Sequence, residues 1–98
     1  PAYYKRYPSA ARRFEPTCDT NEIQRCSVEA LRNTYDNSIA YTSEVLASQI
    51  AMLAGQAESV DSVLLYISDH GESLGEHNIY LHGLPKVLAP HEQTQVPM

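Results

Sequence analysis

The chain has 98 residues, 43% hydrophobic and 19% charged, with a formal net charge of −5. That apolar content excludes a disordered tail, and the acidic balance gives no net attraction for a phosphate backbone, which argues against a nucleic-acid binder. The longest uncharged run, Val45–Ala57, is shorter than the roughly 20 apolar residues that a membrane-spanning helix needs.

The charge is unevenly spread. Residues 1–32 carry six basic groups against four acids, whereas residues 33–98 carry Lys86 against eight acids. Pro1, Pro8 and Pro16 break up the first 26 residues and rule out a long helix there. The aromatic and basic opening (Tyr3, Tyr4, Lys5, Arg6, Tyr7, Arg12, Arg13, Phe14) reads as tyrosines packing a loop while the charges stay hydrated.

A helix is predicted next. Ser27 is a good N-cap, and Glu29 in the first turn suits the helix dipole. Val28, Leu31, Tyr35, Ile39, Thr42, Leu46, Ile50 and Leu53 then recur at spacings of three and four, a one-faced stripe that Gly55 ends. About 27 residues at 1.5 Å each make a helix of roughly 40 Å.

Val63-Leu64-Leu65-Tyr66-Ile67 is a continuous β-prone run, bounded by Asp61-Ser62 and Asp69-His70-Gly71. Continuous apolar character predicts a central strand buried on both faces, as in a parallel sheet covered by helices. One clear strand and one long helix do not complete an α/β layer. Together with Pro1 in place of Met and the ending Val96-Pro97-Met98 without a polar tail, they predict an internal piece of a larger domain. Residues 71–98 read as loop punctuated by Gly and Pro, with a turn of helix.

Cys18 and Cys26 are too widely spaced for a CxxC pair. Spacing alone leaves two readings open, a structural disulfide in an oxidising compartment or two reduced thiols.

All four histidines, His70, His77, His82 and His91, fall in the last 29 residues. The tightest constellation is Asp69-His70-Gly71-Glu72, directly after the predicted strand, where ligands of open α/β sheets bind. Asp oxygen and neutral His nitrogen are both zinc ligands. Neighbouring strand residues point to opposite faces, so joint ligation requires the strand to have ended. Gly71 supplies that break, because glycine takes backbone angles closed to other residues. Asp-His-Gly is also an ordinary turn, and that reading stands beside the metal one. Tyr80-Leu81-His82-Gly83 offers a second histidine beside a second glycine. His77, His91, Glu76 and Glu92 read as solvated surface groups.

The run Ile67-Ser68-Asp69-His70-Gly71-Glu72-Ser73-Leu74-Gly75-Glu76, followed by Ile79-Tyr80-Leu81-His82-Gly83, closely resembles the lipid A phosphoethanolamine transferases, the family that includes the mobile colistin-resistance enzymes. The stretches Pro1-Ala2-Tyr3-Tyr4-Lys5-Arg6-Tyr7-Pro8, Pro16-Thr17-Cys18, Cys26-Ser27, Asn33-Thr34-Tyr35-Asp36-Asn37, Ala89-Pro90 and Glu92-Gln93 match as well, so the resemblance is collinear over essentially the whole chain.

The resemblance implies an α/β fold, residues 1–98 being a fragment of the sandwich of the alkaline phosphatase and sulfatase superfamily. It implies a zinc-dependent enzyme on the periplasmic face of the bacterial inner membrane. Such an enzyme moves phosphoethanolamine from phosphatidylethanolamine to lipid A through a threonine nucleophile. By this matching Asp69 and His70 are zinc ligands, while His82 and Glu72 lie on the substrate side. The resemblance also implies that Cys18 and Cys26 form a disulfide. The nucleophile, a Glu ligand, a further histidine and the membrane anchor all map upstream of Pro1, which predicts that these 98 residues alone are inactive. At Glu76-His77-Asn78 the family usually shows Glu-Asn-Gly, so His77 is a departure. Two other readings of the motifs are a phosphatase or sulfatase of the same superfamily and a non-catalytic remnant.

Overall fold

The structure is a computed structural model that describes residues 3–98 and forms two compact units, Pro1–Leu64 and Leu65–Met98. Pro1 and Ala2, the start of the matched opening, lie outside the described residues.

In the first unit the proline-broken segment forms only short 3₁₀ turns, at Tyr3–Lys5, Ser9–Ala11 and Ile23–Arg25. Helix α1 follows over Val28–Ala54. It starts where its cap predicts, with Ser27 Oγ accepting from Ala30 N at 3.1 Å. Gly55 ends it in right-handed geometry (φ −66°, ψ −13°), so no left-handed cap forms, and the chain leaves through turns in which Ala57 N donates to Ala54 O and Val60 N to Gln56 O.

The buried face of α1 differs from the predicted stripe. Ala30, Leu31, Thr34, Asn37 and Ser38 are buried, whereas Val28, Ile39 and Ile50 are exposed. Residues 3–26 cover only the first turns, and they are held there by polar tethers. Asn37 Oδ1 accepts from Arg13 N at 2.7 Å and from Phe14 N at 3.0 Å, and its Nδ2 donates to Phe14 O at 2.9 Å. Thr34 Oγ1 accepts from Cys18 N at 2.6 Å, Asn33 Nδ2 donates to Pro16 O at 3.1 Å, and Tyr35 meets Tyr3 edge-to-face at 5.7 Å. The Asn33–Asn37 motif is therefore a set of clamps on the preceding loop.

Cys18 and Cys26 form a disulfide within that loop, with Cα atoms 5.7 Å apart. On the loop's surface Arg12 Nη2 donates to Asp19 Oδ2 at 2.8 Å, a bond that raises the guanidinium pKa above its ordinary value, and Arg13 pairs with Glu44. Exposed pairs of this kind contribute little to stability. Asn37 contributes more, because three backbone groups depend on one fully buried amide. Asn37→Ala is expected to cost about 2–3 kcal/mol, read as a lower urea midpoint, since the orphaned groups lose their partners without regaining water. Asn37→Asp keeps the acceptor for two N–H groups and should recover part of that loss.

The predicted central strand does not form. Val63–Ile67 belongs to no β-ladder, and Val63 is 95% exposed. A strand exists through its partners, and no segment of the described residues pairs with this one.

The second unit carries a short antiparallel hairpin, β1 (Ser73–Leu74) and β2 (Tyr80–Leu81), and the four-residue helix α2 (His91–Thr94). The register pairs Ser73 with Leu81 and Leu74 with Tyr80. Between the strands Ile79 N donates to Glu76 O at 2.9 Å across His77 (φ 54°) and Asn78 (φ 61°). Two consecutive left-handed residues make this a type I′ turn, whose preferred pair is Asn-Gly. His77 therefore sits at a left-handed turn-tip position that asparagine or glycine would take with less strain. Among the described residues no helix is long and apolar enough to cross a membrane.

Candidate functional site

The site lies within the second unit, on the segment leading into β1 and on the residue that follows β2. Gly71 places it. An added Cβ would lie 1.9 Å from the Glu92 carbonyl oxygen, so only glycine allows the chain to run against α2 here. Gly71 N also donates to Gln93 O at 3.1 Å. The predicted need for glycine holds, but its cause is close approach, with no left-handed backbone angle.

His70, just before it, is oriented by two contacts. Its Nδ1 bonds the Gly71 carbonyl at 2.7 Å. A carbonyl only accepts, so Nδ1 carries the hydrogen and the neutral ring keeps its lone pair on Nε2. That Nε2 lies 3.8 Å from Asp69 Oδ2, while Asp69 Oδ1 accepts from His70 N at 3.1 Å. The Asp69 side chain is otherwise open to solvent, at 88% exposure.

Glu72 and His82 are brought together by strand register. Ser73 faces Leu81, so the next residues out, Glu72 and His82, face each other at the open end of the hairpin. His82 Nδ1 lies 3.1 Å from Glu72 Oε2, and the Glu72 side chain is only 3% exposed. Leu81 holds a left-handed backbone (φ 69°), a strained state for a bulky residue, immediately before His82. The rings of His70 and His82 stack with centroids 3.6 Å apart.

His70, Glu72 and His82 each bring one ligand-type atom within 4.8 Å of the other two. Two ligands of one tetrahedral zinc ion lie about 3.4 Å apart, given bonds of about 2.0–2.2 Å. Two imidazoles and a carboxylate are all zinc donor types, and their ligand atoms already lie close together. Asp69 Oδ2 stands at a similar separation from His70 Nε2. The donor set therefore fits a zinc ion.

The other candidates stand apart. His77 is exposed at the turn tip. His91 is exposed beside Glu92, their Nδ1 and Oε1 3.2 Å apart. Glu76 is half-buried and structural, its Oε2 accepting from Leu74 N at 2.7 Å. Hydropathy and spacing give Gln93 no role, yet it is buried behind the site, and its place in the matched Glu92-Gln93 pair was the only signal for it.

The chain is 54% identical over all 98 residues to phosphoethanolamine transferase EptA of Escherichia coli strain K12, and 45% identical over 97 residues to phosphatidylethanolamine transferase Mcr-1 of Escherichia coli. It spans 18% of the length of each. Its structure matches the crystal structure of the C-terminal periplasmic domain of phosphoethanolamine transferase EptC from Campylobacter jejuni with a TM-score of 0.94 and 57% identity, covering 99% of this chain and 31% of that one. The α/β sulfatase-like architecture expected from the sequence is thus the fold of the chain. The sulfatase family model matches residues 1–98, and the chain belongs to that family.

Proposed function

We propose that this chain supplies the metal-binding and substrate-facing edge of a zinc-dependent phosphoethanolamine transferase, with phosphatidylethanolamine as donor and lipid A as acceptor, working on the periplasmic face of the inner membrane. The observation that carries this reading is the convergence of His70, Glu72 and His82 at one end of a hairpin in a chain so similar to phosphoethanolamine transferases. The acceptor is supported by the resemblance to the lipid A enzymes. The location is supported by the likeness to a periplasmic domain and to an integral membrane protein.

Asp69 and His70 hold the zinc ion. His70 is suited to this because the Gly71 carbonyl fixes its tautomer and leaves Nε2 free. A zinc ion bound there supplies Lewis-acid charge to a phosphoryl oxygen. The Glu72 carboxylate accepts the Nδ1 hydrogen of His82 and so turns its Nε2 outward. His82 in this tautomer accepts a proton at Nε2, or as imidazolium donates one to a phosphoryl or leaving-group oxygen. Glu72 also offers negative charge for an ammonium headgroup.

By the resemblance, Thr17, Thr20, Thr34 and Thr42 do not match the position of the threonine nucleophile. Thr17, Thr20, Thr34, Thr42 and Thr94 are all engaged in local hydrogen bonds, to Arg12, Glu22, Ala30, Ser38 and His91 respectively. The chain alone is therefore expected to turn over no fluorescent phosphatidylethanolamine, and turnover would overturn this division of roles. The direct test is titration with O-phosphoethanolamine. The zinc-loaded chain should bind it, and chelation with EDTA should remove binding. Equal binding with and without zinc would sink the reading. Because histidine ligates as the neutral ring, zinc binding should weaken as the pH falls.

A further inference from the structure

We propose that Gln93 is a positioning residue for this site, holding the backbone on both sides of Glu72 so that its carboxylate stays opposite His82 and so that the Gly71 carbonyl goes on orienting the ligand His70. The inference rests on the reading of His70, Glu72 and His82 given above.

Gln93 makes two contacts that bracket Glu72. Its backbone carbonyl accepts from Gly71 N at 3.1 Å, and its side-chain Nε2 donates to Ser73 Oγ at 3.0 Å. The side-chain contact is sealed from water, Gln93 being 7% and Ser73 1% exposed. Gln93 is itself anchored in α2, where its N donates to Pro90 O at 3.0 Å. Ser73 is in turn the strand partner of Leu81, the residue before His82. Gln93 therefore sets residue 71 through its backbone carbonyl and residue 73 through its buried side-chain amide, and reaches His82 through the hairpin register. Glu72 has no freedom to slide along the strand while both flanking residues are held.

Burying an amide costs free energy unless it is hydrogen-bonded. A methionine would fill this space without that cost. What the amide adds is direction, a donor aimed at Ser73 from a fixed helix. Supports of this kind, one step behind the ligands, typically change metal affinity by about ten- to a hundredfold when removed.

The test is cobalt(II) titration of the full chain, followed by visible absorption, for wild type, Gln93→Met, Ser73→Ala and Thr94→Ala. Urea denaturation of each metal-free protein is measured in parallel. Gln93→Met should lower cobalt affinity about tenfold and shift the visible bands, which report ligand geometry. Ser73→Ala should do the same with a smaller change in packing, and it serves if the methionine variant fails to fold. Thr94→Ala, exposed on the same helix, should match wild type. Wild-type affinity and spectrum in both Gln93→Met and Ser73→Ala would overturn the inference. So would an affinity loss with unchanged bands that follows the loss of metal-free stability. If the wild-type chain binds no cobalt, the site reading itself fails and takes this inference with it.

Discussion

Gly71→Ala is expected to lower the stability of the Leu65–Met98 unit by about 3 kcal/mol, the upper end of the usual cost of forcing extra atoms into a packed site. The new methyl would meet the Glu92 carbonyl oxygen at 1.9 Å, the Glu92 carbonyl carbon at 2.9 Å and the Gln95 carbonyl oxygen at 3.0 Å. All three are backbone atoms, so no side-chain rotation relieves the overlap. Relief requires α2 to move away, which breaks the Gly71 N to Gln93 O bond and withdraws the Gln93 amide from Ser73. The site then loses its support along with its stability, and metal binding should fall with it. Gly83→Ala is the control. Gly83 is left-handed (φ 110°) but has open space around it, so alanine there meets backbone strain alone. That should cost about 1 kcal/mol. The urea midpoint should therefore fall much further for Gly71→Ala. Equal midpoints would show that close approach is not what Gly71 provides.

These two glycines also show how far local pattern carries. The sequence indicates that residue 71 must be glycine, but a turn and a close approach look alike when the element pressed against it comes twenty residues later. The same limit appears in α1. Its start and length follow from the Ser27 cap and the spacing of three and four, which are local. The face it buries does not, because burial is decided by what packs against it, and the covering loop docks through Thr34 and Asn37. Polar side chains in mid-helix look like a solvated face until their backbone partners, sixteen to twenty-four residues away, are known. Val63–Ile67 fails as a strand for a related reason, since hydropathy predicts a buried strand but cannot supply the neighbouring ladder.

The site was more legible than the core. Histidine and carboxylate chemistry is written in residue type, and the matched motifs point to Asp69, His70, Glu72 and His82 together. Hairpin register, which no single residue encodes, is what puts Glu72 opposite His82. Gln93 stayed hidden because a buried amide and an exposed one have the same letter.

Removing Asp69 and His70 together is expected to reduce zinc affinity at least about a hundredfold, since ligand loss should exceed the effect of losing a supporting residue. Removing Glu72 and His82 together should leave zinc affinity within about tenfold of wild type while abolishing O-phosphoethanolamine binding, because this pair is assigned to the substrate side. Calorimetric titration of zinc, then of O-phosphoethanolamine onto the zinc-loaded protein, separates the two losses. The geometry makes the comparison sharp. His70 belongs to both arrangements, 3.8 Å from Asp69 on one side and stacked on His82 on the other. Asp69→Ala alone is therefore the deciding variant. If Asp69 is a ligand, its loss weakens zinc strongly and leaves the buried Glu72–His82 contact in place. If the ion instead sits among His70, Glu72 and His82, Asp69→Ala will bind zinc as wild type does, and the Glu72 and His82 double variant will not. His77→Ala and His91→Ala, neither of them in the cluster, should change neither titration. A loss in either would move the metal to the exposed histidines and remove the basis for assigning the buried carboxylate to the reaction.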